Sequence, residues 1–298
     1  RLEVGEVAGE HHRLPAAGAR AARSISSQIP AAGELVAPSL AAALTGRLVM
    51  ITGASSGIGR ATALKMGEAG ARVVLVARTP EALEETAQEV RARGGQAVVF
   101  PCDLTDLEAI DALVAAVTRE VGVPDVLINN AGRSIRRSVS RSYDRFHDYE
   151  RTMALNYFGA VRLILGWLPA MRDRGAGHII NISTMGLQAN SPRFSAYLAS
   201  KAALDAFSRS IAPEILLDGI DITTIYMPLV RTPMIAPTEQ YEHLPALSAS
   251  AAADLICDAV RKRPKRVSTP LGRVISVTYA AAPQIQDIVF SQIVRYVA

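Results

Sequence analysis

Tyr197 and Lys201 stand four residues apart and are the pair of side chains with the clearest chemical potential in this sequence. Residues spaced i and i+4 share one face of a helix, so we expect the phenol and the ammonium to be neighbours. A phenol titrates at about pH 10, and a nearby positive charge lowers its pKa by stabilising the phenolate. The pair predicts an acid–base group that passes a proton to or from a carbonyl oxygen while hydride moves at the carbon. Two unrelated residues on a helix surface are the alternative for this spacing taken alone.

A glycine-rich segment, Thr52–Gly59 (TGASSGIG), follows the apolar run Leu48–Thr52 and opens a helical pattern. Gly53 permits a tight turn, Gly57 lets the backbone approach a pyrophosphate, and Gly59 lets helix and strand pack closely. The N-terminus of the helix offers its free N–H groups to the anion. The segment therefore predicts a dinucleotide site rather than an ordinary glycine turn. The residues assigned to it are Gly53, Ser55, Ser56, Gly57, Ile58, Gly59 and Arg60.

Short apolar runs alternate with helical patterns from Arg47 onwards, which is typical of βαβ units. Parallel strands buried on both faces read as continuous apolar runs, as these do. The pattern predicts one α/β domain with a doubly wound parallel sheet of about six strands, the Rossmann-type arrangement. The predicted strands are 48–52, 72–77, 97–100, 126–128, 178–182 and 221–226, and the predicted helices are 58–68, 81–93, 107–121, 149–172 and 195–217.

Three further motifs occur in a fixed order with the glycine-rich segment: Asn129–Gly132 (NNAG), Asn156–Gly159 (NYFG) and Tyr197–Lys201 (YLASK). In this order and spacing, residues 46–235 resemble the short-chain dehydrogenase/reductase family. The resemblance implies that Lys201 contacts the nicotinamide ribose and that Asn156 holds a water in a proton relay. It also implies that Asp103 contacts the adenine, unless this residue only caps a helix. The cofactor contacts implied beyond the glycine-rich segment are Arg78, Asp103, Leu104, Asn130, Ala131, Gly132, Tyr197, Lys201, Val230 and Thr232.

Two positions depart from the family pattern. Thr184 stands where the family has its catalytic serine, thirteen residues before Tyr197, and Ser183 is adjacent. Threonine carries the same hydroxyl, and neighbouring residues of a strand point to opposite sides, so we favour Thr184 over Ser183. After the sixth strand, Pro228 is followed by Leu229 instead of the usual glycine, which stiffens the backbone there.

The end of the second predicted strand decides between the two nicotinamide cofactors. A carboxylate at this position would bind the ribose 2′-hydroxyl of NAD and repel a 2′-phosphate. Here Ala77 is followed by Arg78, and Arg60 lies on the first helix turn. Arginine matches phosphate geometry, so we predict NADP(H) over NAD(H). The alternative is that both arginines only face solvent.

The substrate is less constrained. Six arginines in residues 133–151 are expected either to meet the phosphates of coenzyme A or of an acyl-carrier phosphopantetheine, or to form a solvated basic face. They are Arg133, Arg136, Arg137, Arg141, Arg145 and Arg151, partly offset by Asp144, Asp148 and Glu150. The expected pocket wall is apolar and comprises Met185, Leu187, Phe194, Met234, Ile235 and Leu244.

Residues 132–138, 190–197 and 227–238 resemble the reductase domain of actinobacterial fatty acyl-CoA reductases, in which this domain often follows another reductase domain. The resemblance implies reduction of a long-chain aldehyde or acyl thioester towards fatty alcohol. The alternatives are the same chemistry on a small ketone, secondary alcohol or sterol, or a nucleotide-binding regulator without catalysis. Family members usually pair through the helices that carry Asn156 and Tyr197, so a homodimer or homotetramer is expected.

The 298 residues are organised as a linker or flexible arm (1–44), the catalytic domain (45–272) and a C-terminal amphipathic extension (273–298). The arm is expected to lead from a further N-terminal domain. The extension has apolar residues at helical spacing and is expected to pack on the core; the alternatives are that it covers the substrate mouth or touches a membrane surface. With 32 Lys+Arg against 28 Asp+Glu, the net charge of +4 is too small to indicate nucleic acid. Cys102 and Cys257 indicate a reducing, cytoplasmic setting. The histidines lack ligand spacing beyond an adjacent terminal pair, so no metal is expected.

Overall fold

The computed structural model describes residues 37–236, 241 and 243–296. In this part of the chain, seven parallel strands form the central sheet in the order β3-β2-β1-β4-β5-β6-β9. They are β1 (Leu48–Thr52), β2 (Arg72–Ala77), β3 (Gln96–Pro101), β4 (Val126–Asn129), β5 (Gly177–Thr184), β6 (Ile220–Met227) and β9 (Arg266–Val267). A second, two-stranded parallel pair joins β7 (Val230–Arg231) to β8 (Leu247–Ser248).

Helices cover both faces of the sheet, since each strand of the centre is apolar on both sides. They are α1 (Leu40–Leu44), α2 (Gly57–Glu68), α3 (Pro80–Ala92), α4 (Leu107–Glu120), α5 (His147–Met153), α6 (Ala160–Arg174), α7 (Met185–Ala189), α8 (Ser195–Ile215), α9 (Ala249–Lys262), α10 (Pro270–Ala281) and α11 (Pro283–Tyr296). One core layer packs α2, α3 and α9 on the sheet, and the other packs α4, α6 and α8. The predicted doubly wound parallel sheet is therefore confirmed.

The reversal of strand order between β1 and β4 places the functional segments together. From β1 the chain runs outward to β2 and β3 and then returns to β4 on the other side. In open parallel sheets the crevice at such a reversal, beyond the carboxyl ends of the strands, is where ligands bind. The segments that leave β1, β4 and β5 all emerge at this edge.

Several elements differ from the prediction, among them the core helix α9 (Ala249–Lys262), which was not predicted. The helix expected over residues 149–172 is divided into α5, a π-helical turn at Ala154–Gly159 and α6. The strand β9 was not predicted, because only Arg266 and Val267 pair with β6 and two residues carry no readable periodicity.

The chain ends also differ from the expected boundaries. Residues 1–36 of the predicted arm lie outside the described residues. The compact unit begins at Pro38, and the buried Leu44 belongs to the same core as the sheet. Helix α10 begins at Pro270, before the predicted start of the extension at 273.

The expectation that the C-terminal extension packs on the core is wrong for its apolar stripe. Ile285, Ile288 and Val289 of α11 are 65%, 63% and 52% exposed. The helix is instead held by polar contact, because Gln286 Nε2 donates to Ala189 O at 2.8 Å. Among the described residues, no helix has both the length and the apolar character needed to cross a bilayer.

Candidate active site

The glycine-rich turn has the backbone that its glycines were expected to permit. Gly53 and Gly57 adopt positive φ values of 67° and 54°, which are costly for other residues. A Cβ on Gly59 would lie 2.2 Å from Gly53 O and 2.7 Å from Asn130 Nδ2, so no side chain fits there. Ser56, which precedes α2, makes no side-chain hydrogen bond to cap it. The first N–H groups of α2 are therefore available to an anion.

Thr52 joins this turn to the segment that follows β4. Its hydroxyl donates to Ile128 O at 3.2 Å and accepts from the backbone N–H groups of Asn130 and Ala131, both at 3.0 Å. The Asn130 side chain donates back to Thr52 O at 2.9 Å. The predicted contacts at Asn130, Ala131 and Gly132 are thus held beside the glycine-rich turn.

A cavity of about 770 Å³ runs along this edge of the sheet. Its size suits a dinucleotide together with a substrate, since ordinary ligand pockets span roughly 300–1,000 Å³. At one end it is lined by the glycine-rich turn and Arg78, and at the other by apolar side chains. The predicted site residues that line it are Gly53, Ser55, Ser56, Gly57, Ile58, Arg78, Leu104, Asn130, Ala131, Gly132, Thr184, Tyr197, Lys201, Val230 and Thr232.

Tyr197 lies on the first turn of α8 and faces the end of β5. It is partly buried, and its hydroxyl is hydrogen-bonded to the Thr184 side chain. Burial raises the pKa of Tyr197 to about 12, against the lowering effect of the Thr184 bond, and Tyr241 adds to the rise. The phenol therefore keeps its proton throughout the neutral range.

The structure distinguishes the two neighbouring hydroxyls at the end of β5. Thr184 Oγ1 contacts Tyr197 and accepts from Gly186 N at 3.0 Å, capping α7. Ser183 Oγ is buried and has no hydrogen-bond partner among the described residues. The hydroxyl that contacts Tyr197 is therefore that of Thr184.

Lys201 lies one helical turn beyond Tyr197 and is also buried. Its Nζ donates to Ile182 O at 2.7 Å. Burial lowers the pKa of Lys201 to about 8. The expected lowering of the Tyr197 pKa by the ammonium is not seen: the lowering effect comes from the Thr184 bond, and burial outweighs it.

Asn156 sits in the π-helical turn, a local irregularity that is frequent at functional sites. Its Oδ1 accepts from Arg133 N at 2.8 Å, and its Nδ2 donates to Arg133 O and to Ser200 Oγ, both at 2.9 Å. A Cβ on Gly132 would lie 3.3 Å from Asn156 Oδ1 and 3.5 Å from Lys201 Nζ. The asparagine, the lysine and the segment after β4 thus meet at one point, and Ser200 is a contact that the motif pattern did not reveal.

The residues predicted to select the cofactor divide into two groups. Arg78 follows β2, lines the cavity and is exposed, with no ion pair among the described residues. Arg60 instead pairs with Glu89 of α3 and does not line the cavity. Asp103 does not cap α4, a role taken by Asp106; its carboxylate accepts from Thr105 N at 2.9 Å.

The segment after β6 lies over the glycine-rich turn despite its missing glycine. A Cβ on Gly57 would lie 3.1 Å from Thr232 Cγ2, which shows how closely the two segments approach. Val230 and Thr232 both line the cavity. The apolar end of the cavity contains Met185, Phe194, Met234, Ile235 and Leu244 as expected, whereas Leu187 is not part of it.

Three of the six arginines in the cluster pair with Asp148, which is buried. Arg137 Nε lies 2.9 Å and Arg145 Nε 3.5 Å from its carboxylate, and Arg151 also pairs with it. Burial raises the pKa of Asp148, but the bond from Arg137 and the charges of the arginines outweigh this and hold it below its usual value. These three arginines form an internal ion-pair network, and only Arg136 of the cluster lines the cavity.

A family model for short chain dehydrogenases matches residues 47–243. The chain belongs to the short-chain dehydrogenase family. It is therefore an NAD(P)-dependent oxidoreductase. Within the family it is 61% identical over 246 residues to a fatty acyl-CoA reductase of Acinetobacter baylyi, covering 83% of each chain. It is 50% identical over 242 residues to a fatty acyl-CoA reductase of Mycobacterium tuberculosis, covering 81% of this chain and 82% of the other. The resemblance to such reductases is confirmed.

Two solved structures of the same family have the same fold. A short-chain dehydrogenase from Streptomyces avermitilis superimposes with a TM-score of 0.70 at 31% identity, covering 84% of this chain and 97% of the other. A metagenomic short-chain oxidoreductase in complex with NADP gives a TM-score of 0.64 at 29% identity, covering 76% and 100%.

Proposed function

We propose that this family member reduces the carbonyl of a lipid-like substrate, a long-chain aldehyde or a fatty acyl thioester, with NADPH. The observation that carries the proposal is the Tyr197 hydroxyl, bonded to Thr184, in a cavity whose far wall is apolar. The names of the two related fatty acyl-CoA reductases support the choice of substrate.

The residues present fit a nicotinamide dinucleotide. Gly53 and Gly57 give the turn its positive-φ backbone, Gly59 lets the start of α2 pack against Gly53, and the uncapped start of α2 offers its N–H groups to a pyrophosphate. Lys201 and Asn130 line the same cavity, and Asn130 is held beside the glycine-rich turn. When bound, the reduced nicotinamide supplies the hydride.

Arg78 supports the choice of NADPH. It follows Ala77, where the ribose-binding carboxylate of an NAD site would stand, and its guanidinium suits a 2′-phosphate. Arg60 contributes less than the sequence suggested, because Glu89 already neutralises it.

Tyr197 acts as the proton donor to the carbonyl oxygen. Its raised pKa keeps the phenol protonated, and an alkoxide forming at the carbonyl oxygen is a stronger base than a phenolate, so transfer is favourable. Thr184 holds the phenol and donates to the same oxygen as negative charge develops. The donor pair thus becomes more effective in the transition state than in the ground state.

Lys201 and Asn156 set the charge and the backbone geometry around the transferred proton. Lys201 is charged below pH 8, which stabilises the tyrosinate left after transfer. Asn156 has all three of its described hydrogen bonds within the protein, and these fix the segment after β4 beside Lys201.

The apolar wall supports a lipid-like substrate. Burying an alkyl chain against Met185, Phe194 and Met234 is worth about 0.8 kcal/mol for each methylene. A small ketone would leave most of this wall in contact with water. Activity is therefore expected to rise with the chain length of the aldehyde.

A chain-length series tests the proposal. NADPH oxidation is measured with aldehydes from butanal to hexadecanal and with the matching acyl-CoA esters. We expect kcat/KM to increase with chain length. Each aldehyde should give its alcohol with one NADPH, and each acyl-CoA ester should release the CoA thiol and consume one NADPH to reach the aldehyde and a second to reach the alcohol. Equal turnover of short and long substrates, or NADPH binding without turnover, contradicts the proposal.

We also propose that the protein is a homodimer or homotetramer in the cytoplasm. Phe158 and Leu165, at the start of the helical segment that carries Asn156, are about half exposed, which supports a subunit contact there. Cys102 and Cys257 are both free, which fits a reducing compartment. Light scattering of the purified protein measures the assembly, and a monomer contradicts it.

A further inference from the structure

Arg136 is distinguished from the rest of the arginine cluster by its position. It lines the large cavity, whereas Arg137, Arg145 and Arg151 are paired with Asp148. Arg141 belongs to the same cluster but is exposed and lies outside the cavity lining. Arg136 is half-buried and has no ion pair or hydrogen bond among the described residues. A partly buried guanidinium without a counter-ion is costly unless a ligand supplies one.

The backbone around Arg136 is fixed at both ends. Arg133 is held by its own N–H and carbonyl, both bonded to the Asn156 amide. Arg137 is held by its N–H, which donates to Arg193 O at 2.6 Å, and by its side chain on Asp148. Arg136 therefore has a defined position that does not depend on a ligand.

Side chains alternate along this short segment. Ser134 and Arg136 line the large cavity, while Ile135 and Arg137 line a small cleft on the other side with Asp148. Extended backbone produces this alternation, since successive side chains point to opposite sides. The segment thus presents one hydroxyl and one guanidinium to the cavity.

The location is at the substrate end of the cavity. Arg136 lies near Tyr241, whose raised pKa it counteracts, and Tyr241 in turn lies near Tyr197. Arg78, at the end of β2, belongs to the opposite end beside the glycine-rich turn. Arg78 and Arg136, which both line the cavity, are therefore placed to bind different anions.

We propose that Arg136, with Ser134 and Tyr241, forms an anion subsite for a phosphate of the substrate, the phosphate of a pantetheine thioester. The inference rests on the proposed function and extends it, because it selects acyl thioesters with a phosphate over neutral aldehydes. A guanidinium binds phosphate oxygens through two parallel hydrogen bonds, and neighbouring hydroxyls complete the shell. Coenzyme A and the acyl-carrier arm share this chemistry.

Direct binding tests the subsite without requiring turnover. Calorimetry with saturating NADPH measures 4′-phosphopantetheine and pantetheine on the wild type and on R136Q, R136K and R141Q. R141Q is the matched control, because it removes the same charge from the same cluster outside the cavity. Thermal melting verifies that each variant is folded.

We expect R136Q to weaken 4′-phosphopantetheine binding about tenfold to a hundredfold and R136K to fall between it and the wild type, since lysine keeps the charge but not the fork. Pantetheine binding should be unchanged in every variant, and R141Q should match the wild type. Equal binding of the two probes by the wild type, or equal effects of R136Q and R141Q, overturns the subsite. Loss of acyl-chain turnover with binding intact would overturn the proposed function and leave the subsite standing.

Kinetics separates the sources of the phosphate. R136Q should raise KM about tenfold for palmitoyl-CoA and for S-palmitoyl-4′-phosphopantetheine, with kcat and the KM for hexadecanal unchanged. An effect on palmitoyl-CoA alone assigns the subsite to the diphosphate of the coenzyme. An equal effect on hexadecanal contradicts an anion subsite.

Discussion

Replacing Thr184 by alanine should remove two interactions at once. Its hydroxyl is bonded to Tyr197 and accepts from Gly186 N at 3.0 Å. Loss of a donor to the developing oxyanion costs about 100-fold to 1,000-fold in kcat. Loss of the cap on α7 costs about 0.5–2 kcal/mol of unfolding free energy. Thr184→Ser keeps both bonds and should retain most of the activity.

Ser183→Ala is the matched control. The Ser183 hydroxyl is buried and has no partner in the part of the chain that the structure describes, so its removal relieves a desolvation cost of about 1–3 kcal/mol. We expect the kcat of Ser183→Ala to be unchanged and its free energy of unfolding to be equal to or higher than that of the wild type. The assay is NADPH oxidation with decanal, together with urea unfolding of each variant.

The outcome that refutes this reasoning is the reverse pair of results. If Thr184→Ala kept full kcat while Ser183→Ala lost it, the register at the end of β5 would be wrong. If both variants were inactive and equally destabilised, the loss would be one of folding and the role assigned to Thr184 would fail.

Three further changes follow from single contacts. Arg78→Gln should raise KM for NADPH about tenfold or more and leave KM for NADH unchanged, because it removes a charged bond to the 2′-phosphate. Arg60→Gln is the control, and an equal rise in KM for NADPH in both variants would contradict the assignment. Gly59→Ala should abolish cofactor binding in fluorescence titrations, since its Cβ would lie 2.7 Å from Asn130 Nδ2. Wild-type affinity for the cofactor would contradict this, because it would show that the glycine-rich turn can shift to admit the Cβ. Burial lowers the pKa of His178 to about 3, so the folded state stays neutral while the unfolded state takes up a proton below about pH 6.5. The contribution of His178 to the free energy of unfolding should therefore be complete above this pH and fall by about 1.4 kcal/mol for each pH unit towards pH 3. His178→Gln should flatten that slope in urea unfolding.

The strands and the helix that carries Tyr197 were predictable because their residues carry local signals. The run from Leu48 to Thr52 is apolar throughout and ends in glycines, which marks both a buried strand and a turn. The proximity of Tyr197 and Lys201 was predictable because both lie on one helix, four residues apart. Thr184 was found by counting from Tyr197.

The remaining features depend on contacts between distant segments, which periodicity does not encode. The pairing of Arg60 with Glu89 requires α2 and α3 to be adjacent, so the sequence could not show that this charge is already neutralised. The pKa of Tyr197 depends on how far the fold buries the phenol and on its bond to Thr184, neither of which the spacing to Lys201 could indicate. Arg136 could not be separated from Arg137 before the alternation of their side chains was known.

The most direct test of the central claim compares wild type with Tyr197→Phe in one assay. Both proteins are mixed with NADPH and hexadecanal, and cofactor oxidation and hexadecanol formation are measured together. We predict turnover by the wild type and loss of at least about 100-fold in the variant, because phenylalanine keeps the packing and removes the proton donor. NADPH affinity should stay within a few-fold of the wild type. Equal rates of hexadecanol formation by the two proteins would contradict the account.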